Sequence, residues 1–421
     1  MADFKRVKEV EQLKSFIGKG KVNVVAGLRR SGKTYLLDSV FKKTLIDEGQ
    51  FKEDDFGILY LEGVHKFIRQ EYELDATLNK FKEEGKKIII VDEVQTVAGF
   101  SSSIKAFVKA NKNISVYVTG SNSKIFSYEI INMFQDMANT IFVSPLTYKE
   151  IIEEIPDYKL EYYLMYGGLP IVVNLEGEEK VRELMRINKE IVLRDLINNI
   201  EDKLTYLSDN HIEEMISLIA SSASPVSPSA IAKRFVSGIT RTGADELLVV
   251  KEVRDILNLF DNSFLMKHIA VDDYNESVPL ENIGLNKKYY FADNGLRYIN
   301  CQIVNKAMGL CLENGVFLKL DNEGVAPHGK LFLGSKNEIT SEIDFNYKSK
   351  NKEYLVQATH TINEADYKRE INNLKELPSY AEKQIIYLVN TTGKEETEIK
   401  YIKAIDYFII WSVLRPILYL S

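Results

Sequence analysis

The stretch Gly27-Leu28-Arg29-Arg30-Ser31-Gly32-Lys33-Thr34 constrains the fold of this chain more than any other. It fits the pattern G-x-x-x-x-G-K-[ST] of a phosphate-binding loop, whose glycines let the backbone curl around an anion. The apolar run before it, from 22 to 26, predicts a buried strand, and the apolar face from 35 to 41 predicts a helix after it. The first amides of that helix would point at phosphates. This order of elements predicts a nucleoside triphosphate site.

The loop supplies the candidate nucleotide-binding residues. They are Gly27, Leu28, Arg29, Arg30, Ser31, Gly32, Lys33, Thr34 and Tyr35. We expect Lys33 to reach the β- and γ-phosphates and to serve catalysis, and the Thr34 hydroxyl to ligate Mg²⁺.

A second motif follows about 60 residues later, at a spacing usual for phosphate-loop ATPases. Four apolar residues, 88 to 91, end in Asp92 and Glu93. A strand buried on both faces would deliver Asp92 beside the loop, where it completes the metal site. Glu93 would act as general base on the water that attacks the γ-phosphate. A small-molecule kinase has no use for such a base, so the pair favours an ATPase.

Three more apolar runs, 57–61, 116–118 and 141–143, complete a predicted sheet. The run at 116 leads into Ser121 and Asn122, which are candidates for contacting the γ-phosphate or the attacking water. A polar turn that ends the strand explains these two residues equally well. A short amphipathic helix at 5–17 precedes the first strand and covers either the base or the sheet edge.

Composition narrows the class of protein. A length of 421 residues suggests about three domains, and 45% hydrophobic with 27% charged residues is ordinary for globular chains. The net charge of -7 argues against a chain coated in nucleic acid. The N-terminus lacks a signal-peptide core, and charged residues interrupt the apolar tract from 405 to 420. We therefore expect a cytoplasmic protein without a membrane segment.

The motifs together resemble prokaryotic ATPases of the AAA+ superfamily. Besides the two described, the sequence reads Thr-Gly-Ser-Asn-Ser at 119–123, Pro-Leu-Thr at 145–147 and Tyr-Gly-Gly-Leu-Pro at 166–170. The resemblance implies ATP and Mg²⁺ as ligands. It also implies an α/β fold: a P-loop NTPase core of the AAA+ type (1–150), a helical lid (151–203), a winged-helix domain (204–275) and a C-terminal α/β domain similar to restriction endonucleases (285–421).

One stretch departs from that family. Members usually carry Gly-Arg after the fourth strand, but no arginine occurs here between Arg69 and Arg182. An arginine that acts on the transition state is worth ~10³ to 10⁵ in rate. The sequence thus predicts slow hydrolysis or an arginine donated from elsewhere. Arg194 is the nearest candidate, although a position on a helix surface explains it more readily. Because a neighbour completes each site in many AAA relatives, a homo-oligomer stays open.

The expected winged helix consists of three helical patterns before a strand near 264. Residues 207–271 contain six Lys and Arg against eight Asp and Glu. A DNA reader normally shows a basic stripe, so this balance favours packing or a protein client over double-stranded DNA, and both readings stay open.

The C-terminal domain carries a degenerate nuclease-like motif. Glu313 and Asp344 supply carboxylates of the kind that hold Mg²⁺ in nucleases of this fold, but the expected Glu-x-Lys reads Gln357-Ala358-Thr359. The lysine is missing and one acid is an amide, so we expect an inactive or repurposed domain.

The sequence therefore predicts an ATP-binding, Mg²⁺-dependent ATPase whose nucleotide state sets the arrangement of the winged helix and the C-terminal domain. Two alternatives remain. One is a nucleotide switch with slow turnover that acts through protein partners, and the other is an ATP-dependent metal nuclease that uses Glu313 and Asp344.

Overall fold

Two β-sheets organise the chain, and the first contains the phosphate loop. The computed structural model describes residues 3–120, 134, 137–200, 204–239, 243–273, 287–333, 339–363, 371, 374–375, 377, 380–391 and 396–410. The strands of the first sheet are β1 (Val22–Ala26), β2 (Phe56–Tyr60), β3 (Ile88–Asp92), β4 (Ser115–Thr119) and β5 (Ala138–Phe142). All neighbours pair in parallel in the order β2-β3-β4-β1-β5, so β1 lies inside the sheet.

Helices cover both faces of this sheet. They are α1 (Val7–Ser15), α2 (Lys33–Tyr35, then π-helical Leu36–Phe41 and α-helical Lys42–Asp47), α3 (Glu71–Glu83) and α4 (Phe100–Ala110), with 3-10 turns at Glu53–Asp55 and Val94–Thr96. Strand β1 is buried throughout, and its side chains enter two cores. Val24 packs with α3 and α4, whereas Val25 packs with α1 and α2. Burial on both faces explains the continuous apolar runs in the sequence.

The helices that follow the first sheet do not form one separate lid. They are α5 (Tyr148–Glu154), α6 (Leu160–Tyr166), α7 (Pro170–Val173) and α8 (Glu178–Glu190, which continues as π-helical Ile191–Ile197 and α-helical Asn198–Ile200). Ile151 and Leu164 join the core beneath the second sheet. Leu184 and Leu196 join the helices of the next segment. The range 151–203 predicted as a lid is thus divided between two cores.

Three helices and a strand pair come next: α9 (Asp209–Ala220), α10 (Pro228–Ile239), α11 (Gly243–Asn262), β6 (Met266–Asp273) and β7 (Lys287–Phe291). This is the element order expected of a winged helix, and β6 and β7 are antiparallel. However, β6 also pairs in parallel with a strand of the second sheet, with Val271 opposite Gly329. The domain boundary expected between 275 and 285 therefore falls between β6 and β7, which pair with each other. The second sheet continues across this predicted boundary.

The second sheet has seven strands in the order β12-β11-β10-β9-β8-β6-β7. Its remaining elements are α12 (Asn294–Asn300), α13 (Val304–Asn322), β8 (His328–Leu333), β9 (Ile339–Ser349), β10 (Lys352–Ile362), β11 (Glu382–Asn390), β12 (Ile399–Lys403) and α14 (Ala404–Ile410). Within the described ranges, no helix is long and apolar enough to cross a membrane.

The segment 166–170 joins the two halves of the molecule. The Leu146 amide donates to the Gly168 carbonyl at 2.7 Å, and the Gly168 amide donates to Asp293 Oδ2 at 2.7 Å. Asp293 also caps α12 by accepting from the Gly295 and Leu296 amides. A Cβ on Gly168 would lie 2.0 Å from the Leu146 carbonyl oxygen. Only glycine permits this approach of the segment between β5 and α5 to the loop before α7.

We expect Gly168→Ala to lower the free energy of unfolding by at least about 1–3 kcal/mol, because the added methyl group overlaps backbone atoms that cannot move independently. Urea unfolding of the whole chain measures this loss. Gly309→Ala is the matched control, since its Cβ would meet its nearest neighbour, His360, at an ordinary 3.6 Å, inside α13. Equal stabilities of the two variants would contradict this account of the junction.

Candidate functional site

The phosphate loop adopts a conformation that depends on its first glycine. Gly27 has φ 147°, and a Cβ there would lie 2.3 Å from the Val143 carbonyl oxygen beyond β5. Arg6, almost fully buried, donates to the carbonyls of Ser31 at 3.1 Å and Ser144 at 2.7 Å. The loop is therefore fixed against the chain that leaves the neighbouring strand.

Lys33 is buried within its own loop. Its Nζ donates to the carbonyl oxygens of Gly27 at 3.0 Å and Leu28 at 2.9 Å. Burial lowers the pKa of Lys33, against the attraction of Glu93 and Asp92. The side chain thus lies in the curve of the loop, held by weak neutral acceptors that a phosphate would outcompete.

Asp92 is the point at which three parts of the first sheet meet. One of its oxygens, Oδ1, accepts from the Thr34 hydroxyl at 2.8 Å and from the Thr119 hydroxyl at 2.6 Å. Thr119 Oγ1 also accepts from the amide of Glu93 at 3.0 Å. Burial raises the pKa of Asp92, whereas the two hydroxyl donors lower it. Thr34 and Asp92 thus lie together, as the two motifs predict. Thr119, which the sequence did not single out as a site residue, contacts both the Asp92 carboxylate and the Glu93 amide.

Glu93 occupies a left-handed backbone conformation, with φ 57° and ψ 48°. Non-glycine residues adopt this region rarely, and such positions cluster at functional sites. Gln95 donates to the Glu93 carboxylate, and Thr96 Oγ1 donates to the Glu93 carbonyl at 3.0 Å. The turn after β3 thereby holds the carboxylate at the carboxyl end of the sheet, as the sequence predicted.

A cavity of about 420 Å³ opens in front of these groups. It is lined by Phe4, Arg29, Arg30, Gly32, Lys33, Thr34, Tyr35, Glu62, Asp92, Glu93, Pro170, Ile171, Asn174 and Arg194. This volume is in the range of small-molecule sites. Arg194, which the sequence placed more readily on a helix surface, lines the cavity although it is exposed. The candidates Ser121 and Asn122 lie outside the described residues.

Arg29 and Asp195 form a buried ion pair beside the cavity. Arg29 Nε donates to Asp195 Oδ2 at 2.9 Å, and Nη2 donates to Oδ1 at 2.8 Å. The neighbouring Arg30 is more exposed and lies 3.3 Å from Glu190. Sequence analysis missed Asp195, because nothing in its local pattern shows that a residue 166 positions from Arg29 reaches the phosphate loop.

The second candidate cluster lies in the C-terminal sheet and contains a lysine after all. Lys288 Nζ lies 2.7 Å from Glu313, 2.5 Å from Glu342 and 3.6 Å from Asp344. Its side chain is 2% exposed. Burial alone would lower the pKa of Lys288, but Glu313 and Glu342 outweigh it and hold the pKa well above its usual value.

The expectation that this cluster lacks a cation is therefore wrong. The lysine comes from β7 rather than from the Gln357-Ala358-Thr359 position, because β6 brings β7 into the same sheet. The amide of Asp344 donates to Gln357 Oε1 at 3.4 Å, and the amide of Ala358 donates to Asp344 Oδ2 at 2.8 Å. In the part of the chain that the structure describes, no group of three or more His, Cys, Asp or Glu has the arrangement of a metal site.

One comparison with known protein families covers the segment that contains the phosphate loop, Asp92 and Glu93. Residues 19–152 match the family model described as an AAA domain. A Haemophilus influenzae protein, described as uncharacterised, is 26% identical over 416 residues, 96% of each chain. An uncharacterised protein of Methanocaldococcus jannaschii is 24% identical over 376 residues, 83% of this chain and 77% of its own. The family match supports an AAA+ P-loop ATPase core.

Solved structures are only remotely similar. A katanin structure is 16% identical with a TM-score of 0.26, covering 61% of this chain and 89% of that chain. The S. cerevisiae Hsp104:casein complex is 13% identical with a TM-score of 0.28, covering 66% of this chain and 58% of that chain. TM-scores this low support no conclusion about function.

We expect Lys288→Met to lower the free energy of unfolding by about 3–5 kcal/mol, because it leaves buried carboxylates without their cation. Urea unfolding at neutral pH measures the loss. Lowering the pH should recover part of it, since carboxylates without a partner take up protons in the folded state. Lys352→Met, at a largely exposed pair with Glu382, is the control and should change little. Equal losses in the two variants would contradict the role of Lys288.

Proposed function

We propose that this chain binds ATP with Mg²⁺ in the cavity at the phosphate loop and hydrolyses it. One observation carries the proposal: the hydrogen bond between Thr34 and Asp92 joins the phosphate loop to the strand end that presents Glu93. Phosphate binding, metal binding and a candidate base thereby share one cavity wall. The chemistry at this wall is that of phosphoryl transfer to water.

Lys33 provides the principal positive charge for the phosphates. In the structure its ammonium donates to two loop carbonyls, which are neutral acceptors. A phosphate oxygen is a stronger acceptor because it is charged. ATP would thus draw the Lys33 side chain from the carbonyls to the β- and γ-phosphates, while amides at the start of α2 bind the same groups.

Thr34 and Asp92 fit a magnesium ion. Both offer hard oxygen atoms, the ligands that Mg²⁺ prefers, and they already lie within 2.8 Å of each other. The bound ion would neutralise phosphate charge. Thr119 keeps the Asp92 carboxylate in place through its 2.6 Å hydrogen bond, so the acid is oriented before any ligand arrives.

Glu93 is the candidate general base. Its backbone is fixed by the bond from its amide to Thr119, and Gln95 contacts its carboxylate. A base fixed in this way can orient a water molecule toward the γ-phosphate and take its proton. Phe4, Pro170 and Ile171 also line the cavity and offer apolar surface for the nucleobase. Adenine as that base follows from the likeness to AAA domains.

The segment 166–170 gives the nucleotide a route to the second sheet. Pro170 lines the cavity, and Gly168 is bonded to Asp293 at the start of α12. We propose that nucleotide binding beside Pro170 changes the hydrogen bonds that Asp293 accepts.

A protein client is a better candidate partner than double-stranded DNA. Arg234, one of the few basic residues of the three-helix segment, already pairs with Glu214 at 2.8 Å.

Glu93→Gln should reduce steady-state ATP turnover by about 10² to 10⁴, because it removes a general base, while ATP affinity stays close to that of the unaltered chain. Phosphate release and equilibrium binding of a fluorescent ATP analogue measure the two effects. Glu83→Gln is the control. Glu83 is exposed at the C-terminal end of α3, which precedes the N-terminal end of β3, whereas Glu93 follows the C-terminal end of β3.

Lys33→Ala should abolish ATP binding in the same assay, because the phosphates lose their nearest buried cation. ATP affinity and turnover unchanged in Lys33→Ala would refute the proposal. One ADP formed per chain without further turnover would instead identify a nucleotide switch.

A further inference from the structure

The ion pair between Arg29 and Asp195 joins the phosphate loop to the π-helical part of α8. Both residues are buried, with relative exposures of 7% and 1%. The pair is bidentate through Nε and Nη2 of Arg29, so Nη1 takes no part in it. A carboxylate that holds one edge of a guanidinium fixes the plane of the group and the direction of its remaining donors.

The surroundings of this pair are those of the candidate phosphate site. Arg29 lines the cavity together with Lys33 and Glu93. Burial raises the pKa of Asp195 and the bond from Arg29 lowers it, while the charges of Glu93 and Lys33 act on it more weakly. The π-helical turn that carries Asp195 also carries Arg194 at the cavity wall. Single π-helical turns are frequent at functional sites.

Stability alone does not account for the pair. Removing two charges from water costs about as much free energy as their attraction returns, so a buried ion pair is weak support for a folded state. A cation that is fixed before the reaction is, by contrast, the arrangement that stabilises charge developing in a transition state. Arg30, with a side chain 43% exposed, lacks this fixed position.

We infer that Arg29 is a catalytic residue for ATP hydrolysis and that Asp195 is its positioning residue. The inference rests on the proposed function. In the reaction, the water oxygen forms a bond to the γ-phosphorus and its proton goes to Glu93. The bond from the γ-phosphorus to the bridging oxygen breaks, and its electron pair leaves with ADP. Arg29 Nη1 donates to the transferring phosphoryl group and gives up no proton.

This assignment supplies within one chain the arginine that the stretch between Arg69 and Arg182 lacks. An arginine that acts on the phosphoryl transition state contributes ~10³ to 10⁵ in rate, whether it comes from the same chain or from a partner. Turnover by this chain then requires no arginine from a neighbouring copy.

The test compares ATP affinity, kcat and formation of the complex with ADP and aluminium fluoride, which mimics the transferring phosphoryl group. We expect Arg29→Gln to lower kcat about 10³-fold and to abolish the fluoride complex, with ADP binding retained. Asp195→Asn should lower kcat with little change in KM, and Asp195→Glu should restore part of it. Arg182→Gln, an exposed arginine paired with Glu178, is the control.

The double variant Arg29→Met with Asp195→Leu separates catalysis from stability. Apolar side chains of similar volume replace a buried ion pair without loss of stability, so this variant should unfold at a temperature close to that of the unaltered chain. It should nevertheless be as slow as Arg29→Gln. A kcat within threefold of the unaltered chain would overturn the inference and leave the pair a purely structural contact.

Failure of the inference differs from failure of the proposed function. If the unaltered chain does not bind ATP, or binds it without steady turnover, the proposed function is wrong. If it hydrolyses ATP, but Arg29→Gln turns over equally fast and forms the fluoride complex equally well, only the role of Arg29 is overturned.

Discussion

Two hydroxyl groups that share one buried oxygen of Asp92 hold the first site together. Thr34 comes from the helix after the phosphate loop, and Thr119 comes from the end of β4. Because parallel strands present their carboxyl ends at one edge, these contacts draw the loop, β3 and β4 to a single point. The position of Glu93 follows, since its amide also binds Thr119. Loss of this arrangement would separate the phosphate-binding groups from the base.

The second half of the chain is built onto this site rather than attached by a free linker. Asp293 accepts hydrogen bonds from Gly168 and from the first amides of α12, which lie in different parts of the sequence. Burial raises its pKa to about 6, although the amides of Gly168, Leu296 and Gly295 favour the charged form. A buried carboxylate held by backbone amides from both halves is a rigid joint. The loop before α7 therefore cannot move without a change at α12.

Local patterns explain what the sequence predicted. The phosphate loop, Asp92 and Glu93 form short motifs whose chemistry depends on neighbours in sequence, and the buried strands have continuous apolar runs. Long-range contacts explain what it could not predict. Asp195 meets Arg29, and Lys288 meets Glu342, only through packing of elements far apart in the chain. The domain boundary expected between 275 and 285 has the same explanation. Strand β6 pairs with β7 on one side and with β8 on the other, and the amino-acid composition gives no sign of this pairing. Ser121 and Asn122 stay predictions.

A crystal structure of Glu93→Gln grown with ATP and Mg²⁺ tests the central claim most directly. The measurement is the position of Lys33 Nζ. We expect it within hydrogen-bonding distance of the β- and γ-phosphates, away from the carbonyls of Gly27 and Leu28 that hold it in the structure described here, with Thr34 and Asp92 beside the ion. ATP bound elsewhere, or Lys33 still bonded to those carbonyls at saturating ATP, would contradict the account.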